Sequence, residues 1–307
     1  MLSRRNVRIK IMQVLYANHG TEESKLVASR SAFKQLVDRS HGLLLQHLLI
    51  LQRTAEYAKQ DLAKRQAKLL PTEDDKNFTT KLATNPVVAS LGTDHELRRL
   101  YDKYKTGTTI DAEQIRKLYR AFLKTDTYKD YLSAEQAGHQ DHISLLLALY
   151  KWLQGQEIFQ TMVEDHFPLY GENKSLTIGA LKKIVKSLPA KEDTFSVLSS
   201  SVEAVEEFGK PLLEYVIEAD EQLLTRIRPV LQNWDSERVA KIDMILIKMA
   251  VGEFLRFPKI PTSVSLNEYV EISKTYSTEK SREFINGVLD KLLKQFEAEG
   301  LVSKEAQ

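Results

Sequence analysis

Four cations stand within the first ten residues, Arg4, Arg5, Arg8 and Lys10, and no acidic side chain precedes Glu22. On a helix, Arg4 and Arg8 lie one turn apart and share a face, with Arg5 about 100° round from Arg4. Guanidinium groups are planar, permanently charged forks of donors, so this spacing suits phosphate oxygens and base edges. The same charges also fit a solvated helix end. Lys10 points away from Arg8 and is the least suited of the four to share their surface.

A second group of candidate residues lies in 276-YSTEKSRE-283 and just beyond it. Lys280, Ser281 and Arg282 precede a helix whose free N–H groups favour an anion. Tyr276 and Phe284 have the ring surface to stack on unpaired bases, and Asn286 has an amide to read one, as single-stranded RNA recognition commonly requires. The opposing reading is that Phe284 belongs to the core and that Glu279 and Glu283 dilute the positive field.

Signals for catalysis are poor. His139 and His142 flank Asp141 at helical spacing, but spacing marks no third ligand for a metal. There is no phosphate-binding Gly-Lys loop, no G-x-S-x-G, no H-E-x-x-H and no glycine-rich dinucleotide turn. The expectation is a non-enzymatic binding protein with no cofactor, metal or small-molecule substrate.

The elements that must hold these residues are helical. The chain has 307 residues, with 42% hydrophobic and 28% charged, but only 12 Gly and 8 Pro. It has no cysteine, which excludes disulfides and thiolate-ligated metals and fits a cytoplasmic protein. The net charge of +2 is uninformative beside its distribution. Arg8 and Lys10 interrupt any signal-peptide apolar run. The run 43-LLLQHLLIL-51 is far shorter than the roughly 20 apolar residues a membrane span needs.

Helical periodicity predicts helices over 4–18, ended by Gly20, and over about 31–69, stopped by Pro71, with 71–88 as loop. Shorter helices are expected near 94–105 and 111–124, the latter capped by Asp111, then over 136–164, 177–188 and 194–200. The last third reads as a helix over 203–227, another capped by Asp235 or Ser236, and a stiff elbow at Pro258 and Pro261. A helix over 265–275 follows, with a Ser265–Glu268 capping box, and then a final helix with Phe284, Ile285, Val288, Leu289, Leu292 and Phe296 inside. No alternating strand pattern and no fixed-period repeat is present.

Two distant stretches together resemble the NusB family of transcription antitermination factors. The opening carries Arg4, Arg5, Arg8, Gln13, Leu15 and Tyr16. The C-terminal third carries the Ile242–Phe254 helix, Ile260-Pro261, Asn267-Glu268 and 284-FINGVLD-290. The resemblance implies an all-α, NusB-like helical bundle of two small subdomains, formed by 1–20 and 203–296. A helical insertion over 25–200 of unread role and a flexible tail over 297–307 complete the chain.

By the same resemblance, the partners are boxA RNA of rRNA leader transcripts, the ribosomal protein NusE and the RNA polymerase antitermination complex. Arg4, Arg5 and Arg8 match RNA-contacting arginines, and Lys280–Asn286 matches the second part of that surface. Tyr16, Glu237 and Asp243 match positions toward the NusE side. Asn6 stands where the family often has a further basic residue, which implies weaker phosphate affinity. The competing classes are a helical interaction scaffold without specific RNA binding, and an accessory domain for rRNA modification.

Overall fold

The computed structural model describes residues 3–18, 22–134, 136–168, 170–190, 194–195, 203–231 and 239–302. The protein is all-α, and among the described residues there is no strand. No described helix is long and apolar enough to cross a membrane. The chain divides into two compact units, one formed by Met1–Val37 with Ser200–Gln307 and the other by Asp38–Ser199. The first boundary falls inside a single helix, Glu22–Gln66. Residues 25–37, expected in the insertion, thus belong with the opening helix: Phe33 and Val37 lie in the same apolar cluster as Val7 and Ile11.

In the first unit the opening helix, Arg4–Ala17, starts at Ser3, whose hydroxyl accepts the Asn6 N–H. Val7, Ile11 and Val14 repeat at spacings of four and three and are all buried. They pack into a core built with the helices Lys241–Arg256, Thr262–Tyr276 and Ser281–Ala298. Five of the six apolar residues expected inside the last helix are fully buried, and Phe284 is half-buried against the same core. Each large apolar side chain buried here contributes about 1.5–3 kcal/mol against its exposed state.

The segment expected as one helix over 203–227 is instead a π-helical turn over Glu203–Gly209, then helices Lys210–Glu218 and Asp220–Ile227. Pro211 has no N–H to give the i−4 carbonyl, which favours a new helical start at that point. Gly209 sits where a Cβ would fall 2.4 Å from Val7 Cγ1 and 2.8 Å from Phe33 Cζ, so the opening helix approaches that turn closely. The Ser265–Glu268 capping box is not formed. The helix begins one turn earlier, at Thr262, and both side chains bond elsewhere. Asp235 and Ser236, expected as a cap, lie outside the described residues, as do Gly20 and 196–200.

The second unit is a separate helical core around the later part of the long helix, with Leu48, Ile50, Leu51 and Ala58 fully buried. Helices His95–Lys103 and Ala112–Phe122 form close to expectation, and Asp111 caps the latter by accepting the Glu113 N–H. The expected 136–164 helix breaks at Gly155 into His139–Gln154 and Glu157–Glu164. The expected 177–188 helix runs longer, over Tyr170–Lys186. The stretch 71–88 contains two one-turn helices and the start of Pro86–Thr93. His142 Nδ1 bonds the Tyr131 hydroxyl at 3.0 Å. Among the described residues no three His, Asp or Glu side chains converge as a metal site would need.

Candidate nucleic-acid interface

Helical spacing alone puts the three opening arginines close together, yet packing gives them unlike environments. Arg8 is buried and so does not stand on an RNA-facing surface. Its Nε and Nη2 donate to the two carboxylate oxygens of Glu253 at 2.8 and 2.5 Å, and Glu253 is itself fully buried. Ser265 Oγ and Tyr269 OH also donate to that carboxylate, at 2.5 and 2.8 Å. The guanidinium carbon lies 5.0 Å from the Phe208 ring centre and 5.6 Å from that of Tyr269. Burial works hardest against the Arg8 charge, but its hydrogen bonds to Glu253, together with the electrostatic pull of Tyr269, Glu253 and Glu268, outweigh it and hold its pKa above the ordinary arginine value. The same burial and the Glu253 carboxylate push the Tyr269 hydroxyl well up, so it stays a donor. Arg8 is therefore a structural bolt joining the first helix to two C-terminal ones.

Arg4 and Arg5 are exposed, as the sequence suggests, but each holds a carboxylate. Arg4 Nη2 donates to Glu203 at 2.7 Å. Arg5 binds Glu268 through two parallel bonds of 2.7 Å, and Arg8 Nη1 stands 3.5 Å from the same carboxylate. Asn6 is buried, so the departure from a basic residue at that position faces inward and subtracts nothing from a phosphate-binding surface.

The second group of residues adjoins the first across Glu271. That carboxylate is held below the usual range, chiefly by the hydrogen bond from Lys274, with smaller contributions from the charges of Arg282 and Arg5. Lys280, Arg282 and Asn286 are exposed, whereas Tyr276 and Phe284 are half-buried and pack against the core. Ser281 is buried and does not belong to a contact surface; its Oγ donates to Asp243 Oδ2 at 2.7 Å. The edge that remains runs from Arg4 and Arg5 over Glu268 and Glu271 to Arg282.

Of the residues expected toward a protein partner, Asp243 is buried and occupied by Ser281, which removes it from that face. Glu237 lies outside the described residues. Tyr16 is 49% exposed, with the Lys241 ammonium 4.7 Å from its ring centre and donating to its carbonyl at 2.8 Å. Next to Lys241 a cavity of about 360 Å³ is lined by Leu15, Val216, Val239, Met244 and the Lys248–Asp220 pair, of which the sequence singles out only Leu15.

Fold and edge together define an all-helical protein with exposed arginines at the start of its opening helix and an open cavity at the end of that helix. The model of the NusB family matches residues 177–294. A transcription antitermination protein NusB from Salinibacter ruber is 31% identical over 136 residues, which cover 41% of this chain and 85% of that relative. One from Clostridium botulinum is 34% identical over 125 residues, covering 41% and 87%. A third, from Chloroherpeton thalassium, is 30% identical over 124 residues, and this match spans only 52% of its length. No solved structure matches. The chain belongs to the NusB family.

Proposed function

We propose that the chain is an RNA-binding transcription antitermination factor. It binds boxA of rRNA leader transcripts together with the ribosomal protein NusE and supports read-through by RNA polymerase. The observation that carries this reading is the exposed edge of Arg4, Arg5, Lys280, Arg282 and Asn286, which combines phosphate-seeking forks with an amide able to read a base. Membership in a family whose curated relatives are named for transcription antitermination supports it. On this reading NusE docks at Tyr16 and the adjoining cavity, whose apolar lining of Leu15, Val216 and Met244 suits a protein segment.

The test is binding of boxA leader RNA and a scrambled control, each with and without NusE. Selective boxA binding that NusE tightens supports the reading. Equal, weak binding to both RNAs with NusE present refutes it. A second reading, a helical scaffold without specific RNA binding, is favoured by one observation: all three opening arginines already hold a carboxylate. It requires partner binding to survive loss of Arg4 and Arg5 with RNA affinity unchanged.

A further inference from the structure

The acids on the arginine edge are placed too regularly for generic surface charge. Each opening arginine has its own carboxylate from the C-terminal part of the chain: Glu203, Glu268 and Glu253. The Arg5–Glu268 contact is a two-bond fork, the geometry guanidinium also uses for phosphate. Burial separates the pairs into two kinds. The Arg8–Glu253 pair is shut inside, Arg4–Glu203 is open to water with side chains 45% and 72% exposed, and Arg5–Glu268 is partly open at 48% and 21%. Exposed pairs are weak and open readily; a dry, bidentate pair does not.

Resting on the RNA reading above, we propose that Glu203 and Glu268 are built-in counter-anions that occupy the phosphate positions on Arg4 and Arg5, so that RNA enters by exchanging phosphate for carboxylate. Glu268 has a place to go when displaced, because its Oε2 already stands 3.5 Å from Arg8 Nη1. Glu203, with its side chain 72% exposed, is released into water. The exchange sets how selective the edge is. A lone phosphate gains little by replacing a carboxylate, whereas a strand that meets Arg4, Arg5 and Arg282 together gains at each step.

Exchange has a thermodynamic signature. Each phosphate neutralised on single-stranded RNA releases about 0.7 of a cation, which gives binding its salt dependence. A carboxylate freed in the same step attracts cations back and makes that dependence shallower. Removing the carboxylate must therefore steepen the slope of log K against log salt, by up to about 0.7 per pair.

The experiment measures leader-RNA affinity at four salt concentrations for the full chain and for Glu203→Gln, Glu268→Gln, Arg4→Ala/Arg5→Ala and Glu221→Gln. The last variant removes the same charge from an exposed residue that pairs with no opening arginine. Circular dichroism confirms folding. The expected result is affinity tightened about two- to fivefold at low salt and a steeper slope for Glu203→Gln and Glu268→Gln, with Glu221→Gln unchanged. RNA binding seen only in the two glutamine variants also supports the exchange. If Glu268→Gln binds no tighter than the native chain while Arg4→Ala/Arg5→Ala loses binding, the exchange is wrong and the RNA reading stands. If Arg4→Ala/Arg5→Ala binds RNA as the native chain does, or no variant binds, both fall.

Discussion

The carboxylate of Asp243 receives the hydroxyl of Ser281 at 2.7 Å and, on its other oxygen, that of Ser277 at 2.5 Å. Asp243 sits in the first turn of the Lys241–Arg256 helix, Ser277 closes the Thr262–Tyr276 helix and Ser281 opens the last one. Ser281 Oγ also accepts the Thr278 N–H at 3.3 Å. One buried acid thus ties down both ends of the turn that carries Lys280, and with it the start of the helix bearing Arg282.

Asp243→Ala is expected to leave two hydroxyls without their acceptor and to cost about 1–3 kcal/mol. Amide hydrogen exchange should quicken over 277–281, and RNA affinity should fall severalfold although Asp243 touches no RNA. Exchange unchanged over that turn would show that the acid does not hold it.

Glu253→Gln leaves Arg8 buried beside a neutral amide. Breaking a buried ion pair by removing one partner costs about 3–5 kcal/mol, so the midpoint of urea unfolding should drop sharply. A loss under about 1 kcal/mol would mean that Arg8 reaches water in the native state.

Gly209→Ala brings a methyl within 2.4 Å of Val7 Cγ1 and 2.8 Å of Phe33 Cζ. Forcing a methyl into packed surroundings costs about 1–3 kcal/mol. Thermal unfolding should show this loss, and Val7→Ala in the same chain should restore part of it.

His47, fully buried in the second unit with Tyr150 on its Nδ1 at 2.8 Å, has its pKa pushed down to about 3 by burial first and by the charge of Lys174 second. The unfolded chain binds this proton near pH 6.5, so between about pH 6.5 and 3 the unfolded state holds more protons. Stability is therefore full above about pH 6.5 and declines as the pH falls through that window. A melting temperature followed from pH 7.5 to 4.5 should decline, and His47→Gln should flatten the decline. An equal decline in both proteins would place the acid sensitivity elsewhere.

The helices and their buried faces were largely legible because 3.6-residue periodicity is a local property, and Val7, Ile11 and Val14 or Ile285, Val288 and Leu289 display it directly. Pairings between distant charges were not. Arg8 was read as a surface cation although it stands beside Val7 and one turn before Ile11, and Glu253 lies in the apolar run 242–255. A charge flanked by apolar residues in each stretch, Arg8 between Val7 and Ile9 and Glu253 before Phe254, is the signal that could have joined them, since a buried charge needs a partner. Ser265 and Glu268 fit a capping box by spacing, yet the strong local motif lost to Glu253 and Arg5 brought in by the fold. The π-helical turn at Glu203–Gly209 left only Pro211 as its mark.

The proposed division of labour is that the exposed Arg4 and Arg5 hold RNA while Arg8 serves the fold. Its most direct test is equilibrium binding of boxA leader RNA to Arg4→Ala/Arg5→Ala, with the melting temperature measured on the same protein. The expected result is at least about a tenfold loss of affinity with stability changed by no more than about 1 kcal/mol per exposed pair removed. Native affinity in the folded variant would contradict it.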